Sequence, residues 1–141
     1  MEAVRFKASL RIRHPSLEPS EISRRLSLVP AHSWGAGDQR RSPNGTSLGG
    51  VHRETYWTAP LRLHQATLEG IVGEACDRLS SYRAFFAQIR GSGGRVELFV
   101  GCFEERNWGA VLDADVLLAC GELGLELALD VYPPEIANRA C

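Results

Sequence analysis

Residues 4–12 alternate without a break. Val4, Phe6, Ala8, Leu10 and Ile12 fall on one side, and Arg5, Lys7, Ser9, Arg11 and Arg13 fall on the other. A period of two sustained over nine residues predicts a half-buried strand, and Pro15 ends it. Glu18-Pro19-Ser20-Glu21 then opens a helix, because proline suits a first turn and acidic groups suit the positive end of the helix dipole. Ile22 and Leu26 share its buried side, and Pro30 stops it. Residues 31–50, rich in Gly, Ser, Arg and Pro, show no period and read as a long surface loop, a length expected of a lid or binding segment. The β-branched and aromatic run 52–59 predicts a second strand.

Helical spacing returns at Leu68, Ile71, Val72, Ala75, Leu79, Tyr82, Phe86 and Ile89, with Ser80-Ser81 placed to divide the segment in two. Gly91-Ser92-Gly93-Gly94 is a flexible stop before a third strand over 95–103. In that strand Val96, Leu98, Val100 and Cys102 oppose Glu97, Phe99, Gly101 and Phe103. Asp113 caps a helix over 114–122 that Gly124 closes. Residues 125–132 form the last strand, with Leu125, Leu127, Leu129 and Val131 inward, Pro133-Pro134 ends it, and 135–141 is a short or frayed tail. The order is β-α-β, a helical connection, then β-α-β. It predicts an α+β fold: a two-layer sandwich with a four-stranded, mainly antiparallel sheet and helices on one face, in one domain over 1–141. In the ferredoxin-like version of that fold, the first strand lies centrally beside the third and the last.

Charge changes this picture locally, not globally. The net charge is −1, which gives no overall case for nucleic acid or an anionic membrane. Residues 1–62, however, carry ten Lys or Arg against five Asp or Glu, and residues 63–141 carry six against twelve. Much of the asymmetry falls on strands. The outward side of the first strand carries Arg5, Lys7, Arg11 and Arg13, while the later strands present Glu97, Glu126 and Asp130. Adjacent strands of opposite sign would pair across the sheet, at about 0.2–1 kcal/mol per pair. Phe99, Phe103 and Tyr132 on the same outward side are not explained by charge pairing, and predict that something covers them.

The composition, 44% apolar and 23% charged, is that of a globular chain. Cys76, Cys102, Cys120 and Cys141 make no C-x-x-C and have no histidine at zinc-finger spacing; the first three lie in apolar surroundings and read as small buried hydrophobes. No signal core or membrane-length apolar run is present, so a reducing, cytoplasmic setting is expected. Asn44-Gly45-Thr46 reads as a turn.

The chain resembles a bacterial family of single domains, the domain-of-unknown-function family numbered 4279. The resemblance rests on Phe6 and Leu10 in the opening strand, on Leu17-Glu18-Pro19-Ser20-Glu21-Ile22 followed by Leu26 and Pro30, on Gly37-Asp38, on Trp57, and on the closing run Leu123 to Tyr132. It implies a compact α+β domain and carries over no catalytic residue.

No Walker loop, strand-GxGxxG-helix fingerprint, GxSxG elbow or HExxH occurs. His14, His32, His52 and His64 are isolated in sequence, and Asp113 with Asp115 reads as a cap and a dipole match. Leu98-Phe99-Val100-Gly101-Cys102-Phe103 is similar to a short aromatic motif of RNA-recognition domains, but the second motif that completes a stacking platform is missing. No catalytic residue, metal site or cofactor is therefore expected. The leading expectation is a non-enzymatic module that binds a protein, either a second copy of itself or a partner in a toxin-immunity-like role. Arg5, Lys7, Arg11 and Arg13 would supply charge, and Phe99, Phe103 and Tyr132 apolar anchors. The alternative is small-ligand binding or catalysis in a cleft under the loop 31–50, lined by Trp34, Asp38, Arg40 and Trp57. Single-stranded nucleic-acid binding comes third.

Overall fold

The computed structural model describes residues 6–104 and 106–132. The alternating opening segment forms β1 (Phe6–His14), with Ala8, Leu10, Ile12 and His14 buried and the residues between them turned outward. Arg5, one of the expected binding residues, lies outside the described residues, as do Val4, Pro133-Pro134 and the tail. Helix α1 (Pro19–Leu26) has proline at its start, Glu21 in the first turn and Arg24 and Arg25 in the last, which suits both ends of its dipole. It stops at Ser27, whose φ of 54° turns the chain left-handed before Pro30 is reached.

The segment 31–50 is not structureless. It begins with a short strand, β2 (His32–Trp34), and continues as a hairpin of β3 (Gln39–Arg41) and β4 (Ser47–Val51). Asn44-Gly45 forms the hairpin tip, where Ser42 N–H donates to the Thr46 carbonyl at 2.8 Å and Gly45 takes a φ of 91°. Its base is tied down. Gly37 N–H donates to the His52 carbonyl, His52 N–H to the Asp38 carbonyl, and Ala36 N–H to the buried Thr55 hydroxyl at 3.0 Å. The residues of β3 and β4 are exposed, so backbone pairing and turn chemistry hold the hairpin, and no apolar period marks it in the sequence.

Strand β5 (Thr55–Leu61) follows, then α2 (Leu68–Leu79), whose Thr67 cap accepts from Gly70 N–H at 3.0 Å. The serine pair divides the helical region as expected: a short 3₁₀ turn, Ser80–Tyr82, leads into α3 (Arg83–Gly91). Strand β6 (Arg95–Cys102) precedes α4 (Ala114–Leu123), which Asp113 caps and Gly124, at φ 70°, ends. Strand β7 (Leu125–Val131) closes the described chain.

The α+β class holds, but the sheet has five strands, not four, in the order β2-β5-β1-β6-β7. β1 is central, flanked antiparallel by β5 and β6, while β7 pairs parallel with β6 at the edge. The last strand therefore does not reach β1, and the ferredoxin-like order does not form. The connection after β1 carries α1, β2 and the hairpin and returns antiparallel, whereas the passage through α4 is the one that returns a parallel neighbour.

One core joins the inner face of the sheet to the helices: Leu10, Ile12, Trp57, Val96, Leu98 and Val100 pack with Ile22, Val72, Phe86 and Ile89, all essentially buried. Burying each such side chain contributes about 1.5–3 kcal/mol. The Trp57 indole N–H, which would otherwise be orphaned there, donates to Ser23 Oγ at 3.0 Å. Leu129 and Val131 share the register of Val100 and Cys102 yet are 44% and 55% exposed, because they lie on an edge strand whose buried residue is Leu125, at its start. No helix among the described residues is long and apolar enough to cross a membrane.

Candidate functional site

Among the described residues the helices pack on one face of the sheet only, and strand register assembles what stands on the other. Arg13 of β1 lies between Tyr56 of β5 and Arg95 of β6. One step along, Thr58, Arg11, Glu97 and Glu126 form a row, then Pro60, Ser9, Phe99 and Ala128, then Lys7, Gly101 and Asp130. β1 thus supplies a column of cations, and its neighbours supply aromatics and acids.

Each cation of the column lies over a ring. The Arg11 guanidinium sits 3.8 Å from the Phe99 ring centre, Arg13 sits 5.2 Å from Tyr56, and Lys7 Nζ sits 5.6 Å from Phe103. Such contacts are worth about 0.5–1 kcal/mol at exposed sites. Carboxylates meet two of the cations from the side: Arg11 and Glu97 approach to 3.5 Å, and Arg13 and Glu54 to 3.6 Å. Glu97 Oε1 is buried and accepts no hydrogen bond, so charge alone holds that pair. The expected cross-strand neutralisation occurs between β1 and β6, and a second pair, Arg95 with Glu126 at 3.0 Å, ties β6 to β7.

The three apolar anchors fare differently. Phe99 is half-buried under Arg11, so the cover the sequence called for comes from its own sheet. Phe103 lies one residue past the end of β6 and folds back across Gly101, where a Cβ would come within 2.9 Å of its ring. Tyr132 stacks on Phe103 with centroids 4.5 Å apart and planes 5° from parallel, and both rings are about two-fifths exposed. A hydrogen bond with Asp130 pushes the Tyr132 hydroxyl above its ordinary pKa.

The loop-cleft residues come together only in part: Trp34 and Asp38 share a concavity of about 510 Å³ with Gln39, Arg41 and His52, while Trp57 and Arg40 are not in its wall. Trp57 is buried on the inner face, whereas Trp34 pairs in register with Tyr56 on the outer one. The Trp34 ring stacks on His52 at 4.2 Å and leans on Tyr56 at 4.8 Å. Asp38 is a brace, its carboxylate accepting from Gly35 N–H at 2.8 Å, and Arg40 is exposed on β3. A concavity of about 590 Å³ does exist at this corner, with His32, Trp34, His52 and Tyr56 among its walls. Two histidines isolated in sequence are thus neighbours in space, because β2 and the hairpin base converge on the start of β5, a convergence that no spacing motif encodes.

A further concavity, of about 620 Å³, lies at the opposite layer around His14 and Ser92. These residues are 78 apart in sequence, and His14 Nε2 stands 2.8 Å from Ser92 Oγ. The pair is not an activated nucleophile. His14 Nδ1 accepts from the backbone N–H groups of Ser16 and Leu17, so the neutral ring carries its proton on Nε2. Ser92 Oγ in turn donates to the Gln88 carbonyl at 2.7 Å. A general base would need a free Nε2 lone pair facing the hydroxyl. Burial also lowers the His14 pKa, which reinforces the neutral form. Among the described residues, no group of three or more His, Cys, Asp or Glu is arranged to hold a metal ion.

In comparison with known proteins, the model of one family, described as a domain of unknown function (DUF4279), matches residues 4–134. No curated protein and no solved structure matches the chain.

Proposed function

We propose that this chain, which belongs to the DUF4279 family, is a non-enzymatic protein-interaction module that works through the open face of its sheet. The observation that carries the reading is the column of cations on β1, each over a ring, on a face that no helix among the described residues covers. Arg and Tyr are the residue types that dominate binding energy at protein interfaces, and here neighbouring strands pre-order them. Among the described residues the face is also electrically balanced: Lys7, Arg11, Arg13 and Arg95 stand among Glu54, Glu97, Glu126 and Asp130. That balance disfavours a polyanion, whose affinity comes from a surplus of cations. It favours a second copy, because a two-fold axis lying in the plane of the face and running along the strands lays unlike columns over each other.

The test is the solution mass of the full chain against concentration, for the wild type and for Lys7→Glu/Tyr132→Ser, with folding checked by circular dichroism. A wild-type dimer that becomes a monomer in the folded variant supports the reading. A monomeric wild type moves it to a heterologous protein, which must then cross-link to the wild type and not to the variant. Wild type and variant behaving alike overturns it.

One observation favours a second reading, small-ligand binding at the hairpin corner: His32 and His52 share a concavity with Trp34 and Tyr56. Titration of small organic anions against the intrinsic fluorescence of the wild type and of Trp34→Leu tests it. A saturable change confined to the wild type supports it, and no change in either removes it.

A further inference from the structure

The cysteines separate into two kinds. Cys102 ends β6, its S–H donating to the Val100 carbonyl at 3.8 Å, and burial pushes its thiol up. Cys76 of α2 and Cys120 of α4, 44 residues apart, instead meet Sγ to Sγ at 3.5 Å, both buried. Their meeting is a property of helix register. Glu69 and Asp113, seven residues earlier on both sides, lie close enough for each to shift the other's titration, so the two packed elements run alongside with contacts repeating every two turns. A cavity of about 210 Å³ reaches this seam, with Cys76, Ala119 and Leu123 in its wall and Arg83 and Glu122 beside them.

We propose that Cys76 and Cys120 are a reversible dithiol–disulfide site, oxidised by a small peroxide, that fastens α4 to α2. Three observations carry it: sulfur contact without a bond, a fixed helix register that keeps the contact, and a cavity of the size a small oxidant needs. Either sulfur can donate in this contact, and Cys76 is the one that lines the cavity. Ionised, its thiolate attacks one oxygen of hydrogen peroxide, the O–O bond breaks, and hydroxide leaves and is protonated to water, so that Cys76 becomes a sulfenic acid. The Cys120 sulfur, 3.5 Å away, then attacks the Cys76 sulfur and gives up its proton, the S–S bond forms, and the hydroxyl departs as water. Two thiols and one peroxide become one disulfide and two waters, and a dithiol reductant reverses the change. This site is independent of the sheet-face reading.

The experiment treats the full, reduced chain with equimolar hydrogen peroxide. Residual thiols are then alkylated under denaturing conditions, and the peptides are mapped by mass spectrometry. The expected result is loss of two thiols, a linked pair of peptides containing Cys76 and Cys120, and a melting temperature several degrees higher that dithiothreitol restores. Cys76→Ser and Cys120→Ser each abolish the link and the temperature rise. A link through Cys102 or Cys141, either cysteine of the pair oxidised to the sulfinic acid without a bridge, or four thiols intact at tenfold excess peroxide overturns the proposal. The wild-type map decides the matter even if a serine variant misfolds.

Discussion

The two faces of the sheet are drawn from the same alternating strands and held by different physics. On the inner face Leu10, Ile12, Val96 and Leu98 are stripped of water against the helices, and each contributes by area, whatever its precise neighbour. On the outer face Arg11, Phe99 and Glu97 are only partly buried and contribute by mutual placement: a guanidinium over a ring, beside a carboxylate. The inner face tolerates a change of partner and not of polarity. The outer face tolerates water and not a change of register, since a one-residue slip would put Arg11 among aliphatics.

The largest expected effect separates two neighbours in the chain. Leu98→Ala, at a fully buried inner position, should cost about 2–5 kcal/mol in urea unfolding. Phe99→Ala, one residue on and half-buried on the outer face, should cost about 1–2 kcal/mol. Equal losses would break the distinction between the faces.

This asymmetry is also why the sequence was readable on one side only. The alternation of β1 and β6 sorted inward from outward residues, and the caps at Asp113 and Gly124 and the break at Ser80-Ser81 lie where local chemistry puts them. The partners of outward residues depend on strand order, which local pattern does not hold. Placing β7 beside β1 would have set Asp130 against the cation column, whereas β6 stands between them. β2 to β4 were invisible for a different reason: exposed strands with no apolar side leave no period to detect. Trp57 and Trp34 are both aromatic residues on strands, and only pairing with Tyr56 places one in and the other out.

The turn into β6 passes next to the point where β1 ends. A Cβ on Gly94 would lie 2.6 Å from the Arg13 carbonyl oxygen and 2.8 Å from His14 Cδ2, the first of them backbone that cannot swing aside. Gly94→Ala should therefore cost about 1–3 kcal/mol. Gly91→Ala, three residues earlier at the end of α3 with nothing within 4 Å, should be neutral or stabilise by up to about 1 kcal/mol. Matching denaturation midpoints for the two variants would show that the close approach is not tight.

His14 sharpens the comparison from its polar end, being an inner-face residue that keeps its ring nitrogens paired. Its pKa in the folded chain is lowered, so the unfolded chain binds the proton more readily. The contribution of His14 is then complete above pH 6.5 and is lost as pH falls below that value towards the lowered folded pKa, where it levels off. The slope cannot exceed about 1.4 kcal/mol per pH unit for one proton. Unfolding free energies of the wild type between pH 7.5 and pH 5 should fall faster than those of His14→Gln, and parallel curves would mean that the ring is free to protonate where it stands.

The smallest effect is the most specific to the outer face. Arg11 touches both the Phe99 ring and Glu97, so replacing it alone removes a cation–π contact and leaves a carboxylate with a buried oxygen unpaired. A double-mutant cycle isolates the first part: Arg11→Met and Phe99→Leu are made singly and together, and Glu97 loses its partner equally with and without the ring. The coupling should be about 0.5–1 kcal/mol, and salt should barely change it because the guanidinium lies flat on the ring and is itself only partly exposed. Zero coupling would mean that Arg11 is held by Glu97 alone. The ring would then be an uncovered apolar surface, and the outer face would bind by area as the inner one does.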